Sequence, residues 1–214
     1  GQEVLTLIPT KDGATHLRHE SGSWRVSDFI AVSICLQQPE SEEDFCQSAI
    51  AFGAFQQQLR DFPAHTLHET IPNFHNTRSR IAVFLRHVNE DPCGRADEVE
   101  EEIEKIKAFK PLAIRLNELV DSDELPLRVT HNDTKINNVL FDKQTGNAKT
   151  VIDLDTVMPG LSLYDFGDSI RSGAVTSDED EKDLEKFNLD LDLYNAYAEG
   201  FLEEAAAALT QNEV

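Results

Sequence analysis

A polar run between short apolar segments is the feature that most constrains the fold of this chain. Residues 131–138 read His-Asn-Asp-Thr-Lys-Ile-Asn-Asn, and a further apolar segment ends in Asp153-Leu154-Asp155, twenty residues after Asp133. Short β-rich segments bounded by turn residues favour strands. We therefore predict three strands, which place the polar side chains at rigidly held yet exposed strand ends, where functional groups are often found. The predicted strands cover residues 127–130, 138–141 and 150–154.

The polar residues of this run suit the chemistry of phosphoryl transfer. Such a reaction needs a carboxylate that orients a hydroxyl, metal ligands and positive charge near the transferred group. Asp133 can accept the hydroxyl proton, and Lys135 can neutralise charge on the phosphoryl group. Asn138 and Asp153 carry the hard oxygen ligands that Mg²⁺ prefers. The spacing His-x-Asp-x-Lys-x-x-Asn also matches the catalytic loop of protein kinases.

Two other interpretations of the same residues stay open at the level of sequence. His131, Asp133, Asp153 and Asp155 could hold the metal of a hydrolase, although that class normally has further histidine ligands. A kinase-like module that binds without catalysis is the third interpretation. Its support is that the chain contains neither a glycine-rich phosphate loop nor the strand lysine that pairs with a helix glutamate in this type of site.

Composition excludes some partners. The 214 residues are 40% hydrophobic, which is compatible with a real core, and 19 basic residues face 40 acidic ones. The net charge of −21 would repel nucleic acid and anionic membrane surfaces, so we expect neither as a partner. The acidic runs 98–104 and 178–181 show no functional spacing, and we predict that they are solvated surface. Oligomeric state is not indicated.

The three cysteines indicate a reducing environment. Cys35, Cys46 and Cys93 form an odd set at unrelated spacings, which argues against a disulfide framework and a zinc cluster. Their surroundings also lack the basic residues that would activate a nucleophile. There is no apolar run of membrane-spanning length and no signal-peptide pattern at the first residues. We expect a soluble, cytoplasmic protein.

Outside the motif, periodicity and turn signals predict a short strand region followed mainly by helices. Residues 1 to about 32 are predicted as a strand pair, and Trp24 and the phenylalanines of the next helix as core. Pro111 should kink or divide the long helix that contains it. The predicted helices cover residues 41–60, 80–88, 96–120, 163–172 and 190–209, and a polar loop covers 62–76.

With these residues together, the chain resembles the aminoglycoside phosphotransferase and choline kinase superfamily of small-molecule kinases. Residues 129–141 and 151–155 carry the resemblance, which extends over nearly the whole chain. Residues 67–77, Arg80 and residues 155–160 are most similar to the N-acetylhexosamine 1-kinase branch. The resemblance implies an α+β, protein-kinase-like fold. Residues 1–32 would be the last N-terminal-lobe strands and the hinge, and residues 33–214 a C-terminal lobe, so we expect a fragment whose activity alone is in doubt.

The resemblance also implies a substrate, cofactors and residue roles. The reaction would be ATP-dependent phosphorylation of a small metabolite, with the anomeric hydroxyl of an N-acetylhexosamine as the acceptor and Asp133 as the base. His131 would support loop geometry, and Asp165, although it begins the sequence Asp-Phe-Gly, would be a structural aspartate because it follows the base by thirty-two residues. The implied ligands are Asn138 and Asp153, with Asp155 as a weaker candidate, for Mg²⁺; Phe29, Ile30 and Ala31 for the adenine; and His68, His75 and Arg80 for the acceptor.

Overall fold

The computed structural model describes residues 4–177 and 181–214, so most of the acidic run 178–181 lies outside the described residues. The strands are β1 Leu17–His19, β2 Gly22–Trp24, β3 Ser33–Cys35, β4 Arg128–Thr130, β5 Val139–Asp142, β6 Ala148–Val151 and β7 Met158–Gly160. The helices are α1 Glu42–Gln58, α2 Thr77–Glu90, α3 Glu100–Ala113, α4 Arg115–Asp121, α5 Ser162–Gly173 and α6 Leu191–Ala205. This order confirms the predicted mixed α+β class.

Helix α1 begins where the sequence predicts. The Ser41 side chain accepts a hydrogen bond from the Asp44 backbone N–H at 3.2 Å, which satisfies one of the unpaired amides at the helix start. The buried face of α1 includes Phe45 and Phe52, which are 1% and 0% exposed. The apolar spacing in the sequence therefore gave the correct inward face of this helix.

Helices α1 and α6 pack closely because glycines lie at their contact. A Cβ atom on Gly53 would meet the carbonyl oxygen of Phe201 at 2.8 Å, and one on Gly200 would meet that of Cys46 at 2.6 Å. Both distances are shorter than real Cβ contacts. Phe45 and Tyr197, whose ring centroids are 4.7 Å apart, continue this contact into the core. The core cluster then reaches β5 through Val139 and Phe141.

Two small antiparallel sheets place the polar run at their edges. Strands β3, β5 and β6 form one sheet in the order β3-β5-β6, and β4 pairs with β7. The predicted strands 127–130, 138–141 and 150–154 correspond to β4, β5 and β6. Strand β7 was not predicted, because Met158-Pro159-Gly160 lacks alternation and contains a proline. The polar run therefore connects the two sheets.

The first part of the described chain departs from the prediction. Residues 4–8 and 24–30 do approach each other through an antiparallel bridge between Leu7 and Ser27, with the Ile8 N–H donating to the Val26 carbonyl at 2.8 Å. The regular strands, however, are β1 and β2, which form a hairpin between these segments. The prediction that Trp24 belongs to the core is wrong, because this residue is 57% exposed on the hairpin.

The long helix predicted for residues 96–120 is divided, although not at its proline. Pro111 lies inside α3, and the division falls at Ile114 between α3 and α4. The acidic positions of residues 98–104 are exposed, as predicted. The three cysteines are free thiols. Within the described parts of the chain, no helix is both long and apolar enough to cross a membrane.

Candidate active site

The loop between β4 and β5 is buried although its side chains are polar. His131, Asn132 and Thr134 are 0%, 2% and 1% exposed. Buried polar groups are destabilising unless hydrogen bonds satisfy them. The loop therefore depends on partners from other elements, and helix α5 supplies most of them.

Asp165, in the first turn of α5, holds the start of the loop. Its carboxylate accepts hydrogen bonds from the backbone N–H groups of His131 at 3.0 Å and Asn132 at 2.7 Å, and from the Gln56 side chain at 2.8 Å. Burial raises the pKa of the Asp165 carboxyl, and these donated hydrogen bonds oppose the rise. The geometry agrees with the structural role that the sequence predicts for Asp165, since its carboxylate holds the backbone of the loop.

Two further contacts from α5 hold the middle of the loop. The backbone N–H of Thr134 donates to the Asp168 carboxylate at 2.9 Å, and the Ser169 hydroxyl donates to the Thr134 carbonyl at 2.7 Å. The Thr134 hydroxyl donates in turn to the Asp165 carbonyl at 2.5 Å. Hydrogen bonds from α5 therefore hold the backbone of both neighbours of Asp133, Asn132 and Thr134.

His131 supports the loop through both ring nitrogens. Its Nε2 donates to the Ile152 carbonyl at 2.9 Å, and its Nδ1 accepts the Asp133 N–H at 3.4 Å. Its ring lies edge-on to Phe52 and Phe55, with centroids 5.4 and 5.9 Å away. The structural role expected for His131 is therefore confirmed.

The metal set of a hydrolase is not assembled. His131 uses both ring nitrogens within the fold. Among residues 4–177 and 181–214, no three His, Cys, Asp or Glu side chains form a group that could hold a metal ion. The hydrolase interpretation, which needs four such ligands together, is therefore not supported.

Asp133 and Asn138 are in direct contact. The Asn138 amide donates to the Asp133 carboxylate at 3.1 Å and to the Asp133 carbonyl at 2.8 Å. Asn132, immediately before Asp133, has a left-handed backbone with φ of 68°, a conformation that asparagine tolerates better than most residues. This bend and the amide contact together set the direction of the Asp133 side chain. Within the described residues, both hydrogen bonds of the Asn138 side chain use its nitrogen, which leaves the amide oxygen for a cation.

Asp153 lies at the end of β6, beside Asn138. The Ile152 N–H donates to the Asn138 carbonyl at 2.8 Å, which continues the β5–β6 pairing up to this point. Asp153 then adopts a left-handed conformation with φ of 59° and is exposed. It lines a cleft of about 430 Å³, which we call the Asp153 cleft, with Phe29, Ile30, Leu140 and Ile152 among its other walls.

A second cavity, of about 400 Å³, is lined partly by the loop itself. We call it the Asp133 cavity. It brings together four residues that the sequence singles out, Asp133, Lys135, His75 and Arg80. The other lining residues are Phe74, Thr77, Asn132, Asp168 and Arg171.

Some predicted site residues lie elsewhere or are engaged by the fold. Asp155 forms an ion pair with Arg25 through one of its two carboxylate oxygens. Ala31 does not line the Asp153 cleft, and its carbonyl accepts a hydrogen bond from Lys149 at 2.8 Å. His68 is exposed and lies outside the Asp133 cavity. The metal, adenine and acceptor roles of these three residues stay predictions.

The structure adds residues that sequence reasoning missed. Asp168 and Arg171 line the Asp133 cavity and are joined by an ion pair of 2.9 Å. The signal for Asp168 was its position three residues after Asp165, which places both carboxylates on neighbouring positions of one helix face. Gln56 is also new, because its amide oxygen accepts the Ser162 hydroxyl at 2.7 Å while its nitrogen donates to Asp165.

The chain is therefore an α+β protein in which the 131–138 loop connects two small sheets and packs against helix α5. The family follows from comparison with known proteins: residues 9–207 match the phosphotransferase enzyme family (APH). The chain belongs to that family.

Solved structures share the fold. A microcompartment-associated aminopropanol kinase has a TM-score of 0.60 and 15% identity over 98% of this chain and 61% of its own. An aminoglycoside phosphotransferase from Alicyclobacillus acidocaldarius has a TM-score of 0.55 and 13% identity over 97% and 59%. A type VIII aminoglycoside-3'-phosphotransferase has a TM-score of 0.50 and 17% identity over 100% and 71%. The expected protein-kinase-like fold is confirmed, and this chain spans 59% to 71% of the length of these structures.

Proposed function

We propose that this chain carries the base-and-metal half of an ATP-dependent kinase that phosphorylates a hydroxyl of a small metabolite. Family membership supports the reaction type. The contact between Asp133 and Asn138 is the observation that carries the proposal, because it joins the proposed base to the proposed metal ligand at 3.1 Å. The Asp153 cleft and the Asp133 cavity are then the proposed spaces for the nucleotide and the acceptor.

Asp133 is the proposed base. Its carboxylate lines the Asp133 cavity, where an acceptor hydroxyl can donate to it. The Asn138 amide fixes one carboxylate oxygen, so the side chain is oriented before the acceptor arrives. In phosphoryl transfer such positioning supplies much of the catalysis, since the protein does little covalent chemistry. Lys135 lines the same cavity and is the proposed neutraliser of charge on the transferred phosphoryl group.

Asn138 and Asp153 are the proposed ligands of Mg²⁺, with Asp155 as an additional candidate. The donor set fits this ion, because the Asn138 amide oxygen and the exposed Asp153 carboxylate are hard oxygen ligands on adjoining strand ends. When bound, Mg²⁺ would neutralise charge on the ATP phosphates. Phe29 and Ile30 line the same cleft as Asp153 and are the proposed adenine contacts, together with Ala31.

We propose an N-acetylhexosamine as the acceptor, phosphorylated at its anomeric hydroxyl. The support is the sequence resemblance of residues 67–77, Arg80 and residues 155–160 to that branch. In the structure, Phe74, His75 and Arg80 from the first two of these regions line the Asp133 cavity. The ring of Phe74 offers an apolar surface there, and Arg80 offers hydrogen-bond donors for a carbonyl group.

Replacing Asp133 with Asn in the intact protein tests the reaction. We expect the turnover of Mg-ATP with N-acetylhexosamines to fall by about two to four orders of magnitude, since general bases contribute on that scale. Nucleotide binding, measured by calorimetry, should change little. Asp61→Asn is a matched control, because Asp61 is a 91% exposed side chain outside both cavities.

Undiminished turnover in the Asp133 variant would rule out this base. A wild-type protein that binds the sugar but transfers no phosphate would favour the alternative of a non-catalytic binding module. A screen of N-acetylhexosamines, aminoglycosides and choline then identifies the acceptor.

A further inference from the structure

The Asp133 cavity differs in charge from the rest of the molecule. The chain has a net charge of −21. The cavity, in contrast, is lined by three permanently or normally cationic side chains, Arg80, Lys135 and Arg171, against the two carboxylates of Asp133 and Asp168. A cationic wall in so acidic a chain is a local feature of this cavity and does not follow from composition.

Four of these five charged groups either form an ion pair with each other or face the reacting groups under the proposed function. Arg171 is paired with Asp168 at 2.9 Å, and the other oxygen of Asp168 accepts the Thr134 N–H. Asp133 and Lys135 face the reacting groups under the proposed function. Arg80 is the fifth charged group, and we assign it to the acceptor.

The environment of Arg80 preserves its charge. Its Nε and Nη2 donate to the Phe74 carbonyl at 2.8 and 2.5 Å, and its Cζ lies 5.9 Å from the Phe74 ring centroid. A carbonyl is neutral, so these bonds fix the guanidinium without cancelling its charge. In the described residues, no carboxylate forms an ion pair with Arg80, whereas Arg78, two positions earlier in α2, is paired with Asp121 at 2.7 Å.

We propose that Arg80 makes the Asp133 cavity selective for charge: it takes neutral or anionic hydroxylated molecules and disfavours those with a protonated amine near the guanidinium. This inference rests on the proposed function. An acyl-amino or acidic group can accept the remaining Arg80 N–H donors, of which a guanidinium has five in total. A protonated amine can accept none and is repelled, since like charges a few ångströms apart interact unfavourably at a protein surface.

A pair of acceptors that differ at one nitrogen tests the proposal. N-acetylglucosamine is neutral, and glucosamine is cationic below the pKa of its amine. We expect the intact protein to prefer the acetylated sugar in kcat/KM by on the order of tenfold or more, as repulsion of one or a few kcal/mol implies. Raising the pH above the pKa of the sugar amine should reduce this ratio, because the amine then becomes neutral.

Three substitutions at one position make the test specific to charge. Arg80→Lys should retain most of the preference, Arg80→Gln should reduce it, and Arg80→Glu should abolish or reverse it. Arg78→Gln is the matched control and should leave the ratio unchanged, because Arg78 lies outside the Asp133 cavity. Thermal unfolding of each variant shows whether loss of the hydrogen bonds to Phe74 has disturbed the fold. The quantity compared between variants is the ratio of kcat/KM for the two sugars.

The outcomes separate this proposal from the proposed function. If Asp133→Asn abolishes turnover but the sugar ratio is the same in the wild type and in Arg80→Glu, charge selection by Arg80 is wrong and the kinase assignment stands. A wild-type preference for glucosamine at low pH would likewise contradict charge selection by Arg80 and leave the kinase assignment standing. If Asp133→Asn leaves turnover intact, the proposed base is wrong whatever the ratio. A wild-type protein that neither binds nor phosphorylates either sugar overturns the charge selection by Arg80 and the amino-sugar acceptor. Turnover with another acceptor of the screen would still support the proposed kinase reaction.

Discussion

The loop of residues 131–138 and the hairpin of β1 and β2 reverse the usual relation between polarity and burial. The loop is polar, yet His131 and Asn132 are almost completely buried. The hairpin carries the only tryptophan of the chain, yet Trp24 is 57% exposed. The difference lies in hydrogen-bond partners. Helix α5 gives the loop a carboxylate and a hydroxyl group, and the Gln56 amide of α1 donates to that carboxylate. The Trp24 indole N–H donates one hydrogen bond, to the Ser21 hydroxyl at 3.2 Å.

In the loop of residues 131–138, burial follows hydrogen-bond satisfaction and not hydropathy. A buried donor that loses its acceptor is destabilising by the full desolvation of that group, while an exposed apolar side chain has little to lose. Stability should therefore be far more sensitive to changes behind the loop than to changes in the hairpin.

The largest effect should come from removing the carboxylate behind the loop. Asp165→Ala leaves the N–H groups of His131 and Asn132 and the amide of Gln56 without their acceptor. We expect a loss of about 3 kcal/mol or more in the free energy of unfolding, since each unsatisfied buried donor costs about 1–3 kcal/mol. Urea denaturation measures this loss. Asp61→Ala, at an exposed position, is the control, and a loss for Asp165→Ala no larger than the control's would contradict the network.

A smaller effect is expected at the start of β4, the end of the strand away from the loop. Arg128 forms two hydrogen bonds of 2.6 Å to Glu213, whose side chain is 2% exposed. Burial raises the pKa of Glu213, but the hydrogen bonds from Arg128 and Thr210 outweigh it, and the pKa is lowered. Glu213→Gln should reduce stability by about 2 kcal/mol near neutral pH, as for hydrogen bonds to charged groups.

The same substitution has a defined pH dependence. A lowered pKa in the folded state means that the carboxylate stabilises the fold above the ordinary glutamate pKa, and that this contribution is lost as the pH falls through the lowered value. The difference in unfolding free energy between wild type and Glu213→Gln should therefore shrink in acid. Denaturation curves between neutral pH and pH of about 3 test this, since ordinary glutamate titrates near 4.3. A difference that grows in acid would refute the assignment.

The smallest effect is expected in the hairpin. Trp24→Ala should change the free energy of unfolding of this chain by less than about 0.5 kcal/mol, as for other exposed positions without special contacts. Phe52→Ala, in the core of α1, should lose about 3–5 kcal/mol and calibrates the same denaturation assay. A loss above 2 kcal/mol for the tryptophan would show that the hairpin is supported more firmly than its exposure indicates.

The sequence predicted the elements whose signals are local. Helix α1 was found from Ser41 and the phenylalanine spacing, and β4, β5 and β6 from short apolar segments. Elements that depend on distant partners were missed. Strand β7 exists because Thr130 and Met158 pair across 28 residues, and a proline inside it masks any strand pattern.

The candidate site was predictable in the same uneven way. The match to the kinase catalytic loop and the family resemblance selected Asp133, Asn138 and Asp153, and the structure places the first two in contact. The role of Gln56 could not be read from the sequence, because Gln56 and Asp165 are 109 positions apart. The ion pair of Asp155 with Arg25 was hidden for the same reason, as it joins residues 130 positions apart.

One contact gives the predicted acceptor residue His75 another significance. Its Nε2 lies 2.8 Å from the Asn132 carbonyl, an atom that can only accept, so the nitrogen must carry a proton. The ring also lies between Phe74 and Tyr164, with centroids 4.5 and 5.2 Å away. His75 therefore ties the 62–76 segment to Asn132, the residue next to Asp133. Under the proposed function, an acceptor that contacts this segment would meet a surface whose position is coupled to that of the proposed base.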